Sequence, residues 1–121
     1  MNSYARYSVS WLCDWLKEWR HSRSPYGEKC DRNGYAPSIL PTDTCYLCGK
    51  GGDLARHEVY EGNNRKTSKA CGFWVNVCPA CHERYHTERD MAKELKRDFQ
   101  IEFEKKHSHD DFMALIGRNY L

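Results

Sequence analysis

Two thiol pairs, Cys45-Tyr46-Leu47-Cys48 and Cys78-Pro79-Ala80-Cys81, carry the first chemistry in this chain. Two Cys-x-x-Cys pairs supply four soft ligands, the donor set of a tetrahedral structural zinc site. The second pair runs directly into His82-Glu83-Arg84-Tyr85-His86. Histidines four apart on a helix share one face, so His82 and His86 can hold a metal ion of their own. His57 lies between the two cysteine pairs and can complete that set. The residues therefore predict a zinc scaffold on Cys45, Cys48, Cys78 and Cys81, and a second site for a divalent ion on His57, His82 and His86.

The rest of the chain must position those groups. With 121 residues and 40% hydrophobic content, it can bury only a modest core, and small domains commonly need a metal or disulfide staple. Seven cysteines are an odd count, no apolar leader opens the sequence, and paired Cys-x-x-Cys spacing points to zinc in a reducing compartment rather than to disulfides. The expected location is cytoplasmic. No apolar run reaches membrane-span length, so no membrane partner is expected. A net charge of +2 does not by bulk charge announce a nucleic-acid binder, and any such argument must be local.

Two regions are expected. Residues 1–44 read as an N-terminal amphipathic helix and a loop. Ser8 or Ser10 is the candidate cap, the helix runs to about Arg20, and Trp11, Trp15 and Trp19 lie on one stripe with Leu12 and Leu16. That stripe either enlarges a small core or meets a partner, as a homodimer or with another protein. The stretch 21–44, with its glycines and prolines, reads as loop; Cys13 is read as a packed thiol and Cys30 as a loop thiol.

Residues 45–121 read as the zinc domain: a knuckle at Cys45–Gly52, a strand at 54–60, a polar loop at 61–71, and a returning strand at 72–78. One helix is then expected from Pro79 to about Lys106, burying Cys81, Tyr85, Ala92, Leu95, Phe99 and Phe103. A last short helix is capped by Ser108 and stopped by Gly117. His21, His107 and His109 are surface residues by default. The fold class is small α+β.

Knuckle, strand, loop, strand and helix, with thiolates at the knuckle and the helix start, resemble the treble-clef HNH, or ββα-metal, endonucleases. The resemblance covers roughly residues 45–90. It rests on Cys45-x-x-Cys48, on Leu54-Ala55-Arg56-His57-Glu58-Val59 against the family's Leu-x-x-His-His-Ile, and on Cys78-x-x-Cys81-His82-x-x-x-His86. Asn64-Arg65-Lys66, Trp74-Val75, Phe112-Met113 and the closing Gly117-Arg118-Asn119-Tyr120-Leu121 are similar to small HNH-like proteins of bacteriophages and prophages.

The resemblance implies metal-dependent hydrolysis of phosphodiester bonds in DNA. It makes His57, His82 and His86 ligands of a catalytic Mg²⁺, Mn²⁺, Ni²⁺ or Zn²⁺, and it puts Glu58 at the base position. Arg65, Lys66 and Lys69 in the loop, with Arg89, Lys93 and Lys96 on the helix, would hold flanking phosphates. Two departures stand out. The family has histidine where this chain has Glu58, and a carboxylate near pKa 4.3 is the weaker base. The family's asparagine falls where this chain has Phe73, with Asn76 nearer Cys78 and Asn63 or Asn64 in the loop as substitutes. A catalytically degenerate module, binding DNA or a host protein, for example as a phage-encoded inhibitor of a defence protein, is the alternative expectation. The basic helix stripe is interleaved with Glu83, Glu88, Asp90 and Glu94, a pattern that also suits a solvated face.

Overall fold

A computed structural model describes residues 3–18 and 20–121, with side chains from Ser10 onward. The order is α1 (Ser3–Leu16), β1 (Ala55–Glu58), a single 3₁₀ turn (Gly62–Asn64), α2 (Arg65–Ala70), β2 (Trp74–Val77), α3 (Pro79–Thr87), α4 (Arg89–Glu104) and α5 (His109–Ile116). This is a small α+β domain with, among the described residues, five α-helices and one antiparallel hairpin. The register pairs Ala55 with Val77, Arg56 with Asn76, His57 with Val75 and Glu58 with Trp74.

One buried cluster joins α1, the hairpin and α3 to α5. Its centre is aromatic: Phe73, Phe99 and Phe112 are fully enclosed, with Tyr60 and Phe103 around them. Leu12 of α1 is also fully buried in this cluster, so the N-terminal helix does enlarge the core. Side-chain burial of this kind supplies most of a small domain's stability.

Helix α1 begins at Ser3, ahead of both expected caps, and ends at Leu16. Its last turn tightens, with Lys17 N donating to the Asp14 carbonyl and Glu18 N to that of Trp15. The chain then reverses: His21 stacks on the Trp15 ring at 3.8 Å, and the Trp15 indole N–H donates to the Arg23 carbonyl. Trp15 is thus half-buried and engaged, while Trp11 stays 39% exposed. Trp19 lies outside the described residues.

The stretch expected as a polar loop at 61–71 instead forms the 3₁₀ turn and α2, with Thr67, Ser68 and Ala70 buried. The Ser68 hydroxyl accepts from Tyr60 N at 3.0 Å and donates to the Tyr60 carbonyl at 2.7 Å. A polar residue thus packs inside by satisfying backbone groups, which hydrophobic patterning cannot register. Gly72 then takes φ +75°, and a Cβ there would collide with the Pro37 carbonyl oxygen. Segment 36–42 is strapped along this edge by Ala36 N to Lys69 O, Ile39 N to Gly72 O and the Trp74 indole to Ala36 O.

The expected single helix from Pro79 to Lys106 is two helices. Glu88 adopts φ −105°, ψ 101° and ends α3 while starting α4. The apolar stripe has a gap here: Cys81 and Tyr85 are followed by Glu88 and Arg89 before packing resumes at Met91 and Leu95. The Thr87 hydroxyl donates to the Glu83 carbonyl at 3.0 Å, a back-bond that bends helices, and Arg84 clasps Glu88 at 2.8 Å. Helix α5 follows expectation, with Ser108 accepting from Asp111 N and Gly117 in the left-handed region at φ +82°.

Cys13 and Cys30 exchange their expected places. Cys13 is exposed and Cys30 is buried, because Cys30 N bonds to Ser22 O in the turn that folds 21–30 back onto the domain. His21 is largely buried under Trp15, and His107 stacks on Tyr26 at 3.8 Å, so neither is a plain surface residue. No helix among the described residues is long and apolar enough to cross a membrane.

Candidate metal centre

The knuckle brings the first thiol pair into position. Gly49 takes φ +78°, which a side chain would resist, and lets Gly49 N reach the Cys45 carbonyl while Cys45 N reaches that of Lys50. Tyr46 N donates to Asn76 O of β2, and the Tyr46 hydroxyl to Asp98 of α4 at 3.2 Å. The second pair sits at the N-terminus of α3, where Cys78 is the cap residue and Pro79 occupies the first turn. Orphan amides and the helix dipole both favour thiolate there.

Cys45, Cys48, Cys78 and Cys81 converge with their sulfurs all within 4.8 Å of one another. A tetrahedron with about 2.3 Å zinc–sulfur bonds has sulfur–sulfur edges of about 3.8 Å. The Cys48 and Cys78 sulfurs are 3.8 Å apart. Burial pushes the Cys45 thiol up, but hydrogen bonds from the backbone amides of Cys48, Cys78 and Leu47 outweigh it and hold it at about 6. The Cys81 amide lowers Cys78. Burial and the three neighbouring sulfurs push Cys81 up to about 12. The thiols therefore share protons that a divalent cation displaces on binding. The donor set fits zinc.

His57, on β1, faces His82 and His86 on α3. One ring nitrogen from each lies within 4.8 Å of the others, and the ring centroids are 5.2 Å (57–82), 5.3 Å (57–86) and 4.8 Å (82–86) apart. His57 is 3% exposed and stacks parallel on Tyr85 at 5.3 Å, so its ring orientation is set by a residue of the same helix that carries the other two histidines. Burial pushes the His57 pKa down to about 4, and His82 and His86 add to the effect. His82 is lowered by burial and by His86, against Glu58 and Glu83. Neutral imidazoles are the ligand form, and a separation under 4.8 Å closes onto an ion by small side-chain rotations. The three histidines fit a divalent metal.

Glu58 follows His57 on β1, and its charge opposes the lowering of the His57 and His82 pKa values. Its Oε1 accepts from the Tyr35 hydroxyl at 3.0 Å and from Arg65 Nε at 3.1 Å. Burial pushes the Glu58 carboxyl up, but its own backbone amide, Tyr35 and Arg65 outweigh that and hold it below the ordinary carboxylate range. Phe73, at the asparagine position of the resemblance, is fully buried among aromatic rings. Asn76 bonds to the Thr42 carbonyl, and Asn64 to the Ile116 carbonyl at 2.9 Å, bracing the turn before α2 against α5.

The expected cationic residues divide into two groups. Among the described residues, Arg89, Lys93 and Lys96 of α4 line an open cleft of about 440 Å³ with His86, Tyr85 and a single acid, Glu61. The break at Glu88 starts the helix that carries these cations. Arg118, from the C-terminal tail, lines the same cleft. Sequence reading missed it as a site residue; the Gln100 amide, bonded to Asn119 and Tyr120, ties the tail down beside α4. Lys66 and Lys69 line a different cleft that shares no residue with this one, and Arg65 is engaged by Glu58.

Compared with family models, curated proteins and solved structures, the chain matches none of them.

Proposed function

We propose that this protein is a metal-dependent, HNH-like endonuclease that hydrolyses phosphodiester bonds in DNA, encoded by a phage or prophage and acting in the bacterial cytoplasm. The observation that carries the reading is the convergence of His57, His82 and His86 beside a cleft lined by Arg89, Lys93, Lys96 and Arg118. A structural zinc site needs none of these three imidazoles, since four thiolates already complete its tetrahedron. The knuckle, hairpin and α3 supply the pieces of the treble-clef arrangement that the sequence resembles.

In this reading His57, His82 and His86 hold the divalent ion. When bound, that ion supplies electrostatic stabilisation to charge developing on the scissile phosphate. Arg89, Lys93, Lys96 and Arg118 bind the flanking phosphates and set the register of the strand without reading its sequence. Glu58, held ionised by Arg65 and Tyr35, accepts a hydrogen bond from the attacking water and orients it. A single site acts on one strand at a time, and exposed Trp11 on α1 is the proposed contact for a second copy or another protein partner.

A second reading, a degenerate module that binds DNA or a host protein, is favoured by one specific observation: the carboxylate at the base position is already occupied by two donors. The deciding experiment compares wild type with His82→Ala. Bound zinc is counted, and both proteins are incubated with supercoiled plasmid and Mg²⁺, Mn²⁺ or Ni²⁺. The expected result is about one zinc per chain in each, as one four-thiolate site requires, with nicking by wild type alone. Equal nicking by the two proteins would sink the nuclease reading. Absence of cleavage with every ion, on duplex, branched and single-stranded DNA, would leave the binding module.

A further inference from the structure

A second cleft, about 620 Å³ in volume, lies between residues 20–34 and α2. Its size falls in the range of about 300–1,000 Å³ typical of ligand sites. Among the described residues, four cationic side chains line it, Arg20, Arg32, Lys66 and Lys69, against one carboxylate, Asp31. That carboxylate is already occupied: its Oδ2 receives Arg56 at 2.9 Å, and its Oδ1 receives the amides of Asn33 and Tyr35. The same bonds build the turn Asp31-Arg32-Asn33-Gly34, closed by Gly34 N on the Asp31 carbonyl with Gly34 at φ +87°. Arg32 therefore stands at the tip of a defined turn.

Lys69 is placed from the other wall. Its ammonium sits 4.8 Å over the Tyr35 ring, and its carbonyl receives Ala36 N, so the turn and α2 are joined across the base of the cleft. His21 forms part of the lining too. Its side chain is 8% exposed, and its Nδ1 has no hydrogen-bond partner among the described residues; the nearest carboxylate oxygen, on Glu18, stands 4.0 Å away. A buried ring nitrogen left in this state is uncommon in folded proteins and is open to a water or a ligand oxygen.

We propose that this cleft is a phosphate-binding subsite for a nucleic-acid strand, with Arg20, Arg32, Lys66, Lys69 and His21 as its contacts. The ligand class follows from the donors. Guanidinium and ammonium groups with an imidazole, set in an open cleft, match the oxygens of a phosphodiester backbone. An open cleft admits a chain that enters and leaves. Arg65 opens α2 and touches Glu58, next to His57, while Lys66 and Lys69 follow on the same helix. Six helical residues rise about 9 Å, so the α2 wall of the cleft begins at the Arg65–Glu58 contact. The segment before the zinc knuckle thereby gains a role in holding substrate. In its ligand class the inference rests on the nuclease reading.

The test is binding, read without cleavage. Zinc-loaded protein, with no other divalent ion added, is titrated into labelled single-stranded and duplex oligonucleotides, and affinity is followed against salt concentration. Arg32→Glu/Lys66→Glu changes two exposed side chains, and Arg32→Gln/Lys66→Gln is the milder pair. Lys17→Glu/Lys106→Glu alters net charge equally at residues outside both clefts. The expected result is at least tenfold weaker binding for the Glu pair and a smaller loss for the Gln pair. The slope of log affinity against log salt should fall by about 0.9 on duplex for each phosphate contact removed. The control pair should change affinity less than about threefold. Equal losses in the control and cleft variants would overturn the proposal, as would an unchanged salt slope. So would inorganic phosphate or a mononucleotide binding as tightly as the oligonucleotide, since that describes a closed anion pocket rather than a strand track. Weakened binding by the cleft variants in a protein that never nicks DNA would uphold the cleft and remove the nuclease reading. His82-dependent nicking with unaltered binding would do the reverse.

Discussion

The Glu58 carboxylate accepts a hydrogen bond from Arg65 Nε at 3.1 Å, joining the end of β1 to the first residue of α2. The same oxygen takes the Tyr35 hydroxyl, so three separate parts of the chain meet on one acid. Arg65 is a phosphate contact in the sequence reading; in the fold its guanidinium holds Glu58 in its ionised form.

Glu58→Gln keeps the size of the side chain and an oxygen for Tyr35 while removing the charge. A full general base contributes about 10²–10⁴-fold to rate. A carboxylate with a depressed pKa contributes by orienting water, so the expected loss in nicking is about tenfold, with zinc content unchanged. A loss of a thousandfold would make Glu58 the proton acceptor after all; no loss would confine it to bracing β1 against α2.

His57 carries a pH signature. Burial and the two neighbouring histidines lower its pKa from 6.5 to about 4. Between those values the unfolded chain binds a proton that the folded chain does not, so stability is full above about pH 6.5 and is lost as pH falls toward 4. After allowance for solvent screening, the contribution is about 2 kcal/mol. Imidazole resonances of the zinc-loaded protein, recorded with no second metal, should show one histidine that stays unprotonated to about pH 4. His57→Gln should flatten the dependence of urea stability on pH between 7 and 5. A His57 resonance with an ordinary midpoint would contradict the buried geometry.

Helix α1 gives the clearest contrast between neighbouring residues. Leu12 is fully buried, and Trp11 beside it is 39% exposed, edge-on to Tyr26 at 5.3 Å. Leu12→Ala should cost about 2–5 kcal/mol in chemical denaturation, the range for emptying a packed leucine site. Trp11→Ala should cost about 1 kcal/mol, in line with one lost aromatic pair. If α1 also meets a second copy, sedimentation of Trp11→Ala should show the monomer while wild type shows the dimer. Trp15 is the wrong probe for this, because its indole bonds to Arg23 and stacks on His21.

Several elements could be read from local signals, because they rest on short-range chemistry. Thiol spacing within each pair marks the candidate zinc site, the Ser108 cap and Gly117 bound the last helix, and β-rich alternation over 72–78 marks β2 (Trp74–Val77). Histidines four apart on α3 share a face whatever surrounds them. Spacing also pairs His57 with that face once β1 and α3 are accepted as neighbours.

Other features depended on contacts between residues distant in the chain, and only the tertiary structure decided them. Residues 65–70 look like loop by composition, yet they form a helix because Ser68 satisfies both backbone groups of Tyr60. The long helix breaks at Glu88 because its apolar stripe has no partner there. Glu58 reads as an exposed strand acid, but Arg65 and Tyr35 converge on it. Arg118 reaches the histidine cleft through the tail's bonds to Gln100. Arg20 and Arg32 meet Lys66 and Lys69 only because segment 21–36 folds back against α2. Ligand type and helical spacing are properties of neighbouring residues, so the amino-acid sequence alone determined both candidate metal sets. Which cations share a cleft, and which carboxylate is already paired, depends on how distant segments pack.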